Sequence, residues 1–291
     1  MDCGVWVPGL AALARDDRGE SAYRLEKMSP DLSFALILLV KMAVTAAFVL
    51  AATITAERAG PLVGGLVATL PIAAGPAYVF LALDHDAHFI SQSAVASLAV
   101  NAVNTGFAVS YTLLAQKRSL VVSLGLTYVG WIVLALSANS LHWAVGPAVL
   151  VNAMVIAVGL WLVRPLRHVP MLRVERHWYD YALRAGLVSI LVGVLVTFSF
   201  RIGPYASGLL AVFPVVLTSI ILILHNRAGG KPTAAVLANT VLGFIGFAFA
   251  CLTVHFTAEL FGKWPALALG LTVSVGYSVT MWQARRLGFK V

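Results

Sequence analysis

The sequence predicts an all-α polytopic membrane protein with about nine transmembrane helices in two inverted repeats, arranged four, one and four. Three observations carry this expectation. First, 60% of residues are hydrophobic and only 11% are charged, whereas a soluble domain carries about 25% charged residues. The mean hydropathy is +0.91. Second, apolar runs long enough for a core of about 30 Å, at 1.5 Å per helical residue, follow one another along the chain. Third, one stretch occurs twice.

The doubled stretch reads R-A-G-P-L-V-G-G-L-V-A-T-L-P over 58–71 and R-I-G-P-Y-A-S-G-L-L-A-V-F-P over 201–214. Seven of the fourteen positions match, at an offset of 143 residues. The matches are Arg58/Arg201, Gly60/Gly203, Pro61/Pro204, Gly65/Gly208, Leu66/Leu209, Ala68/Ala211 and Pro71/Pro214. Each copy puts a proline near the middle of an apolar segment. Proline there removes a backbone donor and clashes with the carbonyl four residues back, so the helix kinks or breaks. Interrupted apolar segments at matching places in two halves point to a transporter's binding site. Gly64, Gly65 and Gly208 permit close backbone approach.

Taken in order, residues 1–30 form a polar tail of mixed charge, expected to be disordered. Its apolar run, Val5 to Ala14, is too short to span and has no basic residue before it, unlike a signal peptide. Met28 is an alternative natural start. Nine spans follow, at roughly 32–56, 61–83, 92–115, 120–137, 141–163, 179–200, 204–225, 233–256 and 264–283. Lys41 falls opposite Arg184 at the same offset of 143, and Leu124-Gly125-Leu126-Thr127 matches Leu269-Gly270-Leu271-Thr272 at 145. The chain therefore divides into a first repeat (31–140), a linker span with a basic loop (141–178) and a second repeat (179–291).

Parity gives the relation between the repeats. One period contains five spans, so the second copy enters the membrane from the opposite side. Basic residues give the orientation. With the N-terminus outside, the inner loops hold twelve Lys and Arg and the outer side holds six. The positive-inside bias thus favours N-out and C-in. The net charge of +8 belongs to these loops and is not a nucleic-acid signature. Cys3 and Cys251 are the only cysteines, too few for a disulfide framework or a cysteine metal cluster.

Lys41 and Arg184 are the ionisable residues placed within spans. A charge at the bilayer centre costs at least about 2.5–3.5 kcal/mol on insertion scales, so each is a functional candidate. Two readings stand side by side. Each lies 17 residues before Arg58 or Arg201, about 25 Å along a helix. That is near the edge of the core, where basic side chains snorkel to headgroups. Alternatively the two form an anion site, one cation from each repeat, beside half-helix N-termini. Pro71 and Pro214 mark broken helices at that site, beside Thr69. Asn101, Asn104, Thr105, Asn152, Asn239 and Thr240 are polar groups at membrane depth. They serve interhelical hydrogen bonds or line a polar pathway, and Asn101 and Asn239 join the candidate solute-binding set. Trp131, Trp143, Trp161 and Trp264 read as interface anchors.

Asp84-His85-Asp86-Ala87-His88 packs four potential metal ligands into five residues. A solvated loop is the expected reading, because so compact a run does not close a tetrahedral site by itself. No carboxylate or histidine relay is evident within the spans. No phosphate-binding loop and no catalytic constellation is present, so neither a cofactor nor an enzymatic activity is expected.

Residues 184–256 resemble the GlpM-like small bacterial inner-membrane proteins. The resemblance rests on Arg201, Gly208-Leu209, Phe213-Pro214 and the polar turn His225-Asn226. The first half departs from it at Leu70, where phenylalanine is expected. It implies a bacterial inner-membrane location and transfers no functional residue. The expected function is a secondary transporter or lipid-type translocator for an anionic or amphipathic solute bound between the repeats. The alternative is a non-transporting scaffold of an envelope-synthesis complex. Expected partners are membrane lipids, a small or lipid-like solute and, at the basic loop 164–177, a protein.

Overall fold

A computed structural model describes residues 30–58, 74–141, 143–167 and 177–287. The described residues are helical, with no strand among them. In chain order the helices are α1 (Pro30–Arg58), α2 (Ala74–Asp84), α3 (Ala87–Leu114), α4 (Leu120–Asn139), α5 (Val145–Val163), α6 (Trp178–Ala211), α7 (Val215–Ala228), α8 (Gly230–Phe261) and α9 (Lys263–Arg286). A 3₁₀ turn, Arg164–Leu166, follows α5. Seven helical stretches are long and apolar enough to cross a membrane. One of them is the 51-residue stretch Trp178–Ala228, whereas α2 has only 11 residues. The fold is that of an α-helical polytopic membrane protein.

The breaks follow local chemistry. Within α6 the helix turns at Gly203, whose φ of 75° and ψ of 179° are open to a residue without a Cβ. Pro204 comes next, the position where its missing N–H costs least. The helix stops at Ala211 and restarts at Val215, with Pro214 as the capping residue of α7. The break expected at Pro214 is therefore present. Its counterpart Pro71, like Thr69, lies outside the described residues, as does the tail. At the start of α3 the Asp86 carboxylate accepts from the backbone N–H of Phe89 at 2.8 Å, a capping contact.

The core is built on α3 and α8, which cross antiparallel. At one end Ser91 of α3 meets His255 of α8. In the middle the Asn101 amide donates to the carbonyl of Phe244 at 2.9 Å. At the far end the Thr112 hydroxyl lies 3.3 Å from the carbonyl of Ala234. α1 and α6 are also antiparallel: Ser189 donates to the Met42 carbonyl at 3.1 Å, while Val49 packs with Ala185 and Val188.

α3 is buried along most of its length, yet it is rich in polar groups. Ser93, Ser97 and Asn104 donate to the carbonyls of Pro204, Gly208 and Val212, at 3.0, 2.7 and 2.6 Å. These acceptors lie four residues apart, so one face of α3 is laced to successive turns after the Gly203 break. In hydrocarbon a polar group needs such a partner. Close approach here depends on Gly208, where a Cβ would run into the Ser93 carbonyl.

Trp131 departs from expectation. It is 5% exposed and donates to Asn104 Oδ1 at 2.7 Å, so it is part of the core and not an interface anchor. The reason is its place mid-way along α4, facing the Asn104 carbonyl and the ring of Phe213. Trp161, near the end of α5, is 73% exposed.

Candidate solute-binding site

A cleft of about 440 Å³ opens between helices α1, α2, α8 and α9, with α3 at its floor. α1 contributes Val44, Thr45 and Phe48; α2 contributes Pro76, Tyr78 and Phe80. Ala250, Cys251 and Val254 of α8 and Trp264 and Leu271 of α9 form the facing wall. The cleft thus takes its walls from both sides of the 143-residue offset. Its size falls within the range typical of ligand pockets, about 300–1,000 Å³. The walls are almost wholly apolar. Small residues make the room: Ala250, Cys251, Ala268 and Gly270 present little side-chain volume. Val44, Phe48 and Leu271 are more than half exposed, so the cleft opens sideways onto the outer surface of the helix bundle.

One charged pair sits at its rim. Lys41 Nζ reaches Asp84 Oδ1 at 2.8 Å and Oδ2 at 2.6 Å. The two side chains are 12% and 22% exposed. Thr45, one turn beyond Lys41, lines the cleft and donates back to the Lys41 carbonyl at 2.8 Å. Phe80, one turn before Asp84, also lines it and lies 5.7 Å from the Lys41 ammonium. The ion pair therefore ties α1 to α2 directly above apolar walls. Sequence alone offered Lys41 a headgroup to snorkel to or an anionic solute to bind. In the structure its partner is Asp84, 43 residues on, which the sequence placed in a solvated loop.

The rest of that loop is equally engaged. His85 stacks on Phe89 with ring centroids 3.7 Å apart and shares a 2.8 Å hydrogen bond with Ser199. Burial pushes its imidazole below the ordinary histidine pKa, against the opposing pull of Asp84 and Asp86. Asp86 caps α3, and His88 pairs with Glu259 at 2.8 Å. The four side chains diverge to four separate partners. Among the described residues no group of three His, Cys, Asp or Glu is placed to hold a metal.

The remaining candidate residues lie away from the cleft. Arg184 is on α6, four residues after Asp180. There Asp180 receives a two-pronged bond from Arg227, both contacts 2.6 Å. Asn239 donates to the Arg167 carbonyl at 3.1 Å, and Asn101 bonds across the α3–α8 crossing. Pro214 caps α7 beside Phe213, within the aromatic group around Trp131. Of the candidates that the sequence singles out for solute binding, Lys41 is the one that meets the cleft among the described residues. Sequence reasoning missed Asp84, Thr45 and the small residues of α8 and α9. The available signal for Asp84 was that 84 and 227 are themselves 143 residues apart, and both carry a charge at the end of a second span.

The two ends of the bundle differ in charge. Around the α2–α3 turn Lys41 pairs with Asp84, Lys263 donates to the His85 carbonyl and Glu259 pairs with His88. The other end, where Arg227 pairs with Asp180, also carries Lys117, Arg118, Arg164, Arg167 and Lys231. Searches of protein families, curated proteins and solved structures found nothing that matches this chain.

Proposed function

We propose that this protein is a secondary transporter or lipid-type translocator for an amphipathic, anionic solute. The observation that carries the proposal is the apolar cleft with Lys41 at its rim. An apolar body beside the Lys41 ammonium, with Asp84 as its present counter-ion, fits a molecule with a hydrocarbon part and a negative head.

The transport plan is nine spans in two inverted repeats. Several contacts support it. Asn101 and Phe244, which meet at the α3–α8 crossing, are themselves 143 residues apart. Partners related by a two-fold axis in the membrane plane run antiparallel, as α3 with α8 and α1 with α6 do, and meet at equivalent residues, as α3 and α8 do at Asn101 and Phe244. The count of nine takes Gly203 as the turn between two crossings and pairs α2 with residues before it. The strongly basic end supports N-out and C-in, and the GlpM-like resemblance supports a bacterial inner membrane.

Two measurements test this. Single cysteines at positions 58 and 201, in a background lacking Cys3 and Cys251, are expected to label from opposite faces. Labelling from the same face overturns the inverted plan. In proteoliposomes, movement of a fluorescent alkyl phosphate between leaflets is expected only with protein present. No movement, together with a stable co-purifying envelope enzyme, moves the assignment to a scaffold.

A further inference from the structure

We propose that Lys41 is a partner-exchanging cation: an anionic headgroup displaces Asp84 from it as a single hydrocarbon chain enters the cleft beneath. The ligand class is a long-chain monoalkyl or isoprenyl phosphate. This rests on the function proposed above and names the chemistry of its site.

The argument begins with what is buried. A lysine in a membrane segment needs a counter-charge. Here the counter-charge is supplied by the protein itself, with both Asp84 oxygens within 2.8 Å of Nζ. An ion pair of this kind leaves no net charge at the rim. A neutral or zwitterionic lipid then gains nothing by approaching it. A phosphate gains a charge-assisted bond, which is roughly twice as strong as a neutral one, but only by taking the carboxylate's place.

The geometry allows that exchange. Asp84 is the last residue of α2, at the turn into α3, and is the more exposed member of the pair at 22%. Released, it faces water at the membrane surface. Lys41 is held mid-helix, its carbonyl bonded by Thr45 and its ammonium over the ring of Phe80. It stays where it is and changes partner. Directly below, the walls offer no polar competitor for a chain: Val44, Phe48, Ala250, Val254 and Leu271 are all hydrocarbon. The cleft opens towards lipid, so the chain enters sideways without leaving an apolar medium. The bulk of Trp264 and Phe80 in its lining favours one chain over two.

The exchange makes an unusual prediction of sign. Removing Asp84's charge strengthens binding. The probe is hexadecyl phosphate, with hexadecanol as its neutral control, added to the purified full-length protein and read by thermal stability. Wild type is expected to be stabilised more by the phosphate than by the alcohol. Asp84→Asn, which frees Lys41 of its competitor, is expected to bind the phosphate about tenfold more tightly, one charge-assisted bond's worth of discrimination. Lys41→Met is expected to lose the preference for phosphate over alcohol, and Ala250→Phe to lose both ligands. Should Lys41→Met not fold, the double variant Lys41→Met/Asp84→Met serves instead, because removing both charges together spares the fold.

Unchanged or weaker phosphate binding in Asp84→Asn overturns the exchange. Equal stabilisation by alcohol and phosphate in wild type overturns the headgroup site and leaves a greasy groove. Leaflet movement of the alkyl phosphate is measured separately. Tighter binding in Asp84→Asn without any movement by wild type keeps the site and removes the transport function. Movement by wild type with no change of binding in Asp84→Asn does the reverse.

Discussion

The two halves related by the 143-residue offset differ most where they are built alike. On α8, Ala250 and Val254 face the cleft. Their counterparts on α3 are Phe107 and Tyr111, 2% and 0% exposed. Phe107 meets Tyr128 edge-on at 5.2 Å, Tyr128 hydrogen-bonds Thr218, and Tyr111 shares a bond with His225. One half therefore has an opening where the other has a packed aromatic cluster. Side-chain volume at these positions decides which side holds a space.

That comparison is broken most severely by emptying the filled side. Phe107→Ala removes a buried ring from the cluster and is expected to cost about 3–5 kcal/mol, the range for large-to-small core changes. Chemical or thermal unfolding checks this. The converse, Ala250→Phe, gives the open side the residue of the closed one. It is expected to be tolerated because the space exists, and to abolish the alkyl-phosphate stabilisation. A loss of stability as large as that of Phe107→Ala would mean the cleft is not open.

The ion pairs extend the comparison to charge. Lys41–Asp84 has its cation on the first helix of its half and its anion at the end of the second. Asp180–Arg227 has the opposite polarity, at the opposite end of the bundle. Both pairs are largely buried, so breaking one leaves an uncompensated charge. Asp180→Asn is expected to lower the melting temperature, because the two-pronged bond to Arg227 is lost. It is expected to leave alkyl-phosphate binding unchanged, whereas Asp84→Asn changes it.

A smaller effect is expected from the lacing of α3 to the broken part of α6. Ser97→Ala removes bonds to the Gly208 carbonyl and the Tyr78 hydroxyl, and Asn104→Ala removes bonds to the Val212 carbonyl and the Trp131 N–H. Each such bond costs on average about 0.6 kcal/mol and at most about 1.7 in a membrane bundle. The corresponding residues of α8 are Thr240 and Phe247. Thr240 bonds within its own helix and Phe247 lines the cleft, so Thr240→Ala is expected to have less effect than Ser97→Ala.

These differences explain what was legible in the sequence. Helical class, the break at Pro214 and the close approach at Gly208 were readable, because hydropathy, proline geometry and the absence of a Cβ act locally. Lys41 was readable as an oddity, since a charge in an apolar run stands out by itself. Its pairing with Asp84 was not, because nothing local links residues 43 apart. Trp131 was misread for the same reason: its position in α4 is visible, but the Asn104 carbonyl that receives its N–H is not. The cleft was hidden most completely. It exists because Ala250, Cys251 and Gly270 face a common space, and small residues in an apolar helix look the same whether they pack closely or leave a void.

The smallest expected effect is a test of the seam between the halves. His85 belongs to the first half and Ser199 to the second, and burial depresses the His85 pKa. The folded state therefore favours the neutral ring, and the unfolded chain takes up a proton first as pH falls through the ordinary value of about 6.5. Linkage then requires stability from this residue to be fully present above that pH and to be lost progressively below it, until the folded ring protonates as well. His85→Gln is expected to flatten the decline in melting temperature between about pH 6.5 and pH 5. An unchanged slope would mean that His85 does not carry the decline. The seam at His85 would then be held by its ring contact with Phe200 and by the Lys263 ammonium on its carbonyl.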